Sequence, residues 1–174
     1  MMTLRMDYDV SREINIRIAQ TMIARIDPIF EKDRLVTMRP LLDAHGKEFR
    51  SHGVEFEYST PHALPGRCFH NAMQLAQQHE LTYCEGLMVM CSHDYGLNFM
   101  AHAWCITEDG RVMDPTCHQV QYQNHLSYTG IAFKLSYALA WHSKYGFHGM
   151  LDGHPTLGSS VGVYSDPPEM WLAQ

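Results

Sequence analysis

A stretch of sixteen residues, AHAWCITEDGRVMDPT (101–116), constrains the fold more than any other part of this chain. Two apolar runs flank the sequence Glu-Asp-Gly, and a short glycine-containing turn between apolar runs is typical of a β-hairpin. We therefore predict strands over residues 99–107 and 111–116, joined by a tight turn. Such a hairpin brings His102 and Asp114 close together on adjacent strands, although they lie 12 residues apart in the sequence.

The sequence before the hairpin predicts a helix followed by a strand. Residues 59–67 contain two prolines and a glycine, which are typical of a loop. Residues 68–80 carry apolar side chains at the spacing of one helical face, namely Phe69, Ala72, Met73 and Ala76. Residues 83–92 form an apolar run of the length expected of a strand. The predicted order is helix, strand, strand, strand, and Cys68 is the first residue of the helix.

The two ends of the chain carry further patterns. Residues 11–49 predict two helices, because apolar residues recur at helical spacing before and after an Asp-Pro break (Ile14, Ile18 and Met22, then Leu35, Met38, Leu41 and Leu42). Residues 54–59 alternate between apolar and polar side chains like a short strand. Residues 128–146 begin as a predicted strand and continue as a predicted helix. The histidine-rich tail from Gly146 predicts loops.

Composition narrows the class of protein. The chain has 174 residues, of which 45% are hydrophobic and 18% are charged, and this composition predicts one globular domain. Its net charge of −6 argues against nucleic acid as a partner. No signal peptide and no apolar run of about 18 residues is visible, so we expect no membrane association. Five cysteines without Cys-x-x-Cys spacing favour reduced thiols and a cytoplasmic location over a disulfide framework.

Three residues have the types and the order that thiol catalysis requires. The thiolate is the nucleophile, and the N–H groups and dipole at a helix start favour an anion at Cys68. A histidine takes the thiol proton, and a carboxylate on its other ring nitrogen orients the ring and stabilises the imidazolium. His102 and Asp114 match these two roles. Each residue alone is more often structural, but the three in this order favour a catalytic triad.

Three motifs carry a resemblance to a known family. GRCFHNA (66–72), AHAWCI (101–106) and GRVMDPT (110–116) resemble the core of the transglutaminase-like branch of the papain-like cysteine enzymes. The resemblance covers residues 58–135. One departure is Arg67, which stands before the cysteine where the family often has an aromatic residue or a second glycine. The arylamine acetyltransferases also resemble this chain in their Cys, His, Asp order, but they are much longer and lack the Asp-Pro-Thr context.

The resemblance implies both a fold and a set of roles. The implied fold is α+β, with a papain-like core in which a central helix carrying the cysteine packs on a small antiparallel sheet. A helical N-terminal extension over residues 1–57 and a C-terminal helix with loops over 136–174 would complete a single domain. Cys68 would be the nucleophile, His102 the general base and acid, and Asp114 the orienting carboxylate.

Other side chains are assigned supporting roles or none. We expect Trp104 to pack beside the triad and to keep water from the imidazole. The backbone N–H of Cys68 would stabilise an oxyanion, with Tyr58 or His62 as the second donor. Three cysteines inside apolar runs are expected to be inert core thiols: Cys84, Cys91 and Cys105. Cys117 is expected in a loop, without the support of a helix start.

These assignments predict a cysteine peptidase or amidase that acts on a peptide or protein amide and needs no cofactor or metal. Transfer to an amine instead of water would make the same triad a transglutaminase or an N-acyltransferase. An alternative of another class is an inactive protein that binds a partner. A further alternative is a zinc protein whose ligands come from Cys91, His93, Cys105, Cys117 and His118.

Overall fold

The computed structural model describes residues 32–50, 63–64, 66–92, 96–117, 127–146, 149–151 and 167–173. The chain divides into two compact units, Met1–Asp33 and Arg34–Gln174, and the sheet and the candidate site belong to the second. Several predicted features lie outside the described residues, namely the first N-terminal helix, the strand over 54–59, and the side chains of Tyr58 and His62. The predicted division of the single domain into three parts stays a prediction.

The described residues form four helices and five strands. In chain order they are α1 (Lys32–His45), β1 (Lys47–Arg50), α2 (Cys68–His79), β2 (Thr82–Ser92), β3 (Gly96–Ile106), β4 (Val112–Met113), β5 (Ser127–Phe133), α3 (Leu135–Tyr145) and α4 (Pro168–Trp171). The strands form one sheet in the order β1-β5-β2-β3-β4, and all of its neighbours are antiparallel. The predicted α+β class is confirmed. Among the described residues, no helix combines the length and the apolar character needed to cross a membrane.

The helix α2 begins and ends close to where its sequence pattern predicts. Its buried face includes Ala72, Met73 and Ala76, which pack on the sheet. The helix ends before Glu80, which takes a left-handed conformation with a φ of 54° and donates its N–H to the carbonyl of Ala76. This geometry satisfies one of the carbonyls that every helix end leaves unpaired.

Residues 47–50 correct the prediction for the N-terminal segment. The sequence predicts helix up to residue 49, but the helix α1 ends at His45 and β1 begins at Lys47. The N–H of Gly46 closes the last turn of the helix on the carbonyl of Leu42 at 2.8 Å. The next four residues pair with β5 and bury Phe49 against the sheet. Tertiary pairing therefore overrides the local helical preference.

The second strand of the hairpin is shorter than the sequence predicts. Only Val112 and Met113 pair with β3, whereas strand is predicted as far as residue 116. Pro115 has no N–H to donate to a sheet, and Asp114 instead accepts hydrogen bonds from the backbone that follows it. The chain therefore leaves the sheet at the aspartate. The first strand of the hairpin is longer than predicted and begins at Gly96.

The two faces of the sheet bury different clusters. On β2, Tyr83 and Leu87 face the helices and join the larger apolar core, which includes α2, α3 and α4. Cys84 and Met88 face the other way and pack with the aromatic rings of Trp104 and Tyr128. Because Trp104 lies opposite Cys84 and side chains alternate along a strand, His102 lies on this second face with Trp104.

Candidate active site

The hairpin brings His102 and Asp114 into direct contact. The Nε2 atom of His102 lies 2.7 Å from the Oδ2 atom of Asp114, which is the distance of a strong, charge-assisted hydrogen bond. Both residues are almost inaccessible to solvent, with 2% of His102 and 4% of Asp114 exposed. The pairing of Cys105 with Met113 sets this contact, because it determines how far along β3 the aspartate lies.

The carboxylate of Asp114 accepts four hydrogen bonds. His102 Nε2 and the hydroxyl of Tyr128 both donate to Oδ2, at 2.7 and 2.9 Å. The backbone N–H groups of Thr116 and Cys117 donate to Oδ1, at 2.9 and 3.0 Å. Sequence reasoning missed Tyr128, because nothing in the sequence indicates that β5 lies across the sheet from the aspartate. A carboxylate held by four donors cannot rotate away from the imidazole.

The electrostatics favour a charged pair at these two residues. Burial alone lowers the pKa of His102, but the charge and the hydrogen bond of Asp114 outweigh it, so that the pKa lies well above its ordinary value. Burial alone raises the pKa of Asp114, but the charge and hydrogen bond of His102 and the N–H of Cys117 hold it below its ordinary value. The two pKa values shift in opposite directions but have one consequence, since each shift stabilises an imidazolium beside a carboxylate.

Cys68 lies at the first residue of α2 and is half-buried. Its thiol is near enough to His102 to help raise the pKa of that imidazole by hydrogen bonding. Arg67, which precedes the helix, makes no side-chain capping hydrogen bond to the first turn. The backbone N–H groups at the helix start are therefore not occupied by that side chain. The structure thus brings Cys68, His102 and Asp114 together at one place.

A second thiol also reaches the imidazole. The Sγ atom of Cys117 lies 3.9 Å from His102 Nε2 and 3.3 Å from the sulfur of Met88. Sequence reasoning placed this cysteine in a loop and did not predict its contact with His102. Burial raises the pKa of the Cys117 thiol, and the opposing effect of His102 does not reverse the shift. Cys117 is therefore held as a neutral thiol, whereas a nucleophile must ionise.

Two other cysteines are buried within the core. The thiol of Cys105 donates to the carbonyl of Ala72 at 3.0 Å, on the face of the sheet that packs on α2. Burial raises the pKa of both Cys84 and Cys105, because a thiolate would be poorly solvated there. Both are inert in this environment. The side chain of Cys91 lies outside the described residues.

Trp104 forms one wall of the site. Its ring is nearly parallel to the imidazole of His102, with centroids 6.4 Å apart, and it contacts Tyr128 at 5.0 Å. A Cβ atom at Gly130 would come within 2.4 Å of the Trp104 ring, so the ring occupies the space that a side chain would take there. The indole is fully buried, and within the described part of the chain its Nε1 has no hydrogen-bond partner. An apolar wall of this kind excludes water from the His102–Asp114 pair.

The same residues include a set of atoms that suits a metal ion. One ligand atom each from His102, Asp114 and Cys117 lies within 4.8 Å of the others. Imidazole, carboxylate and thiolate are all ligands of zinc. The ligand set expected from the sequence differs, because Cys105 points to the opposite face of the sheet from the contacts of Cys117. The positions of His93 and His118 lie outside the described residues.

Comparison with known proteins does not assign the chain to a family. No family model, curated protein or solved structure matches the chain. The resemblance to transglutaminase-like enzymes therefore rests on three sequence motifs around Cys68, His102 and Asp114. Any function proposed for the site depends on its own contacts and charges.

Proposed function

We propose that this protein is a cysteine-dependent acyl-transfer enzyme, a peptidase or amidase with a papain-like core. The observation that carries the proposal is the buried His102–Asp114 pair with the Cys68 thiol on the same imidazole at a helix start. Its substrate class is a peptide or protein amide. Neither nucleic acid nor a membrane is needed for this chemistry.

The reaction follows from the roles of the three side chains. His102 takes the proton of Cys68, and the thiolate attacks the amide carbonyl to form a tetrahedral oxyanion. The backbone N–H of Cys68 and the helix start stabilise the negative charge. His102 then returns the proton to the leaving amine as the C–N bond breaks, which leaves a thioester on Cys68. Water, deprotonated by His102, hydrolyses the thioester and restores the free thiol.

The pKa shifts at the site support these roles. Asp114 raises the pKa of His102, which stabilises the imidazolium that forms when the thiol gives up its proton. Because Asp114 keeps a lowered pKa, it stays a carboxylate throughout and orients the ring. Trp104 keeps this side of the ring dry, which strengthens the interaction between the two charges.

The acceptor of the acyl group separates two versions of the proposal. If water enters the cleft, the enzyme is a peptidase or amidase, and if an amine takes its place, it is a transglutaminase or N-acyltransferase. A glutamine-containing peptide assayed with and without a fluorescent primary amine distinguishes them. Release of ammonia or of a peptide fragment without amine incorporation favours hydrolysis, whereas incorporation favours transfer.

One observation favours a candidate of another class. The ligand atoms of His102, Asp114 and Cys117 lie close enough together to bind zinc directly. Elemental analysis of the purified protein tests this, since stoichiometric zinc that is lost in Cys117→Ser and kept in Cys68→Ser would favour a metal site. Zinc absent from the purified protein would leave the acyl-transfer proposal in place.

Thiol reactivity tests the main proposal directly. With mild iodoacetamide at neutral pH and a chelator present, we expect Cys68 to be alkylated first, as read by mass spectrometry of peptides. His102→Ala should slow that alkylation, because the thiolate loses its counter-charge. Cys117→Ala is the matched control, since it removes the other thiol near the imidazole. Alkylation of Cys117 with Cys68 untouched would contradict the proposal.

A further inference from the structure

Asn71 carries a set of contacts that the proposed chemistry does not use. It lies in α2, three residues after Cys68, and only 1% of it is exposed. Its Oδ1 accepts the N–H of Leu64 at 3.1 Å, and its Nδ2 donates to the carbonyl of Leu64 at 2.8 Å. The same Nδ2 donates to the hydroxyl oxygen of Thr116 at 3.0 Å. Both N–H bonds of the amide therefore have partners.

These hydrogen bonds join the parts of the site that must meet. Leu64 belongs to the loop that leads into Cys68, and its carbonyl also accepts the N–H of Arg67 at 3.2 Å. Thr116 lies two residues after Asp114 and donates its backbone N–H to the carboxylate of that residue. One buried amide thus connects the entry loop and the first turn of the helix to the turn that holds Asp114.

Apolar packing alone does not fix the position of the helix start relative to the carboxylate of Asp114. The helix α2 packs on the sheet through apolar side chains, and apolar contacts have no preferred direction. Catalytic groups must be held within roughly 0.5 Å of the productive geometry, which directional hydrogen bonds between buried groups provide. The bond to Leu64 by itself would hold only the loop. The bond to Thr116 is the one that ties the helix start to the carboxylate turn.

We propose that Asn71 is the positioning residue that sets the distance between the Cys68 thiol and the His102–Asp114 pair. The inference rests on the proposed function, because it assigns Asn71 a task within that site. The hydrogen bonds of Asn71 go to Leu64 and Thr116 and not to the thiol or the imidazole. It acts through the loop at Leu64 and the turn at Thr116.

The test isolates one hydrogen bond of the amide. Thr116→Val removes the hydroxyl and keeps the shape of the side chain, and Thr116→Ser keeps the hydroxyl. We expect Thr116→Val to slow the alkylation of Cys68 by iodoacetamide by about three- to tenfold, as for the loss of one buried hydrogen bond at a reacting geometry. Thr116→Ser should recover most of the rate. Asn71→Ala should have a larger effect, provided that it folds.

A matched variant separates positioning from general stability. Ala76→Gly weakens α2 five residues after Asn71 and leaves the hydrogen bonds of Asn71 to Leu64 and Thr116 in place, so it should lower the melting temperature without slowing alkylation. Wild-type alkylation rates in Thr116→Val, or an equal slowing in Ala76→Gly at equal melting temperature, would overturn the positioning role. If Cys68 of the wild type were not the first thiol labelled, the proposed function would fall instead.

Discussion

Each face of the sheet has a carboxylate, a histidine and a tyrosine buried against it. The two groups differ in which residues donate hydrogen bonds to the carboxylate. On one face, His102 and Tyr128 both donate to Asp114. On the other face, the hydroxyl of Tyr83 donates to Glu85 at 2.8 Å. The same hydroxyl lies 3.3 Å from Nε2 of His142, a residue of α3.

The surroundings of the two carboxylates explain what each group can do. The second oxygen of Glu85 accepts the backbone N–H groups of Met150 and Leu151, so the residue holds a distant segment against the sheet. Asp114 accepts the N–H groups of its own turn, and its histidine faces a half-buried thiol at a helix start. A carboxylate, a histidine and a tyrosine therefore serve packing on one face and present an imidazole to Cys68 on the other.

The largest difference between the two faces is expected when each carboxylate is replaced by its neutral amide. Asp114→Asn removes the charge that raises the pKa of His102, so we expect Cys68 to be alkylated about tenfold more slowly or worse at neutral pH. Glu85→Gln should leave the alkylation rate of Cys68 within about twofold of wild type, although it weakens the fold. Equal loss of reactivity in both variants would contradict the distinction between the two faces.

The pH dependence of stability offers a second, smaller effect. The lowered pKa of Asp114 contributes stability that is present above the unfolded value of about 3.9 and is lost as the pH falls through the folded value. The raised pKa of His102 contributes stability that is present below about 6.5 and is lost as the pH rises through the folded value. The pair should therefore stabilise the protein most between about pH 4 and 6.5.

Urea unfolding as a function of pH, in a buffer with a chelator, measures this effect. On either side of the window we expect the free energy of unfolding attributable to the pair to fall by no more than about 1.4 kcal/mol per pH unit for each group. Asp114→Asn should remove the slope on the acid side and reverse the slope of the histidine, because burial alone lowers the pKa of His102, so that stability rises with pH up to about 6.5. The same pH profile in wild type and Asp114→Asn would show that these residues do not form a charged pair.

The two tyrosines test the comparison at the level of single hydrogen bonds. Tyr128→Phe and Tyr83→Phe each remove one hydroxyl that donates to a buried carboxylate, so each should lower the free energy of unfolding by about 1–3 kcal/mol. Only Tyr128→Phe should also slow the alkylation of Cys68, because Asp114 then holds the imidazole less firmly. Chemical denaturation and alkylation rates report the two effects, and a slowing in Tyr83→Phe alone would reverse the assignment of the faces.

The smallest change is expected at the second thiol. Cys117→Ser replaces a neutral thiol whose pKa is raised by burial, and we expect a loss of stability of about 1 kcal/mol or less. Alkylation of Cys68 should continue at close to the wild-type rate. Loss of all rapid alkylation in this variant would mean that Cys117, and not Cys68, is the reactive thiol beside His102.

Local features of the site could be predicted because their partners are close in sequence. The contact between His102 and Asp114 follows from one hairpin, whose turn and register depend on a few neighbouring residues. The start of α2 at Cys68 follows from a proline- and glycine-containing loop before an amphipathic run. The sequence predicts strand as far as residue 116, whereas β4 ends at Met113, because the carboxylate of Asp114 takes the backbone N–H groups that follow it.

The remaining features depend on which strands become neighbours. The position of β5 between β1 and β2 brings Tyr128 to Asp114 and makes residues 47–49, which the sequence predicts as helix, part of a strand. The contact of Asn71 with Thr116 spans 45 residues and requires α2 to dock against the end of the hairpin.

The amino-acid sequence by itself therefore determined the helix, the hairpin and the pairing of His102 with Asp114, since hydrophobic periodicity and turn chemistry act over a few residues. Only the tertiary structure decided which tyrosine holds the carboxylate, which amide ties the helix to the turn, and that a second thiol reaches the imidazole. The physical reason is that strand order and helix docking arise from burial of the whole core, which no local pattern encodes.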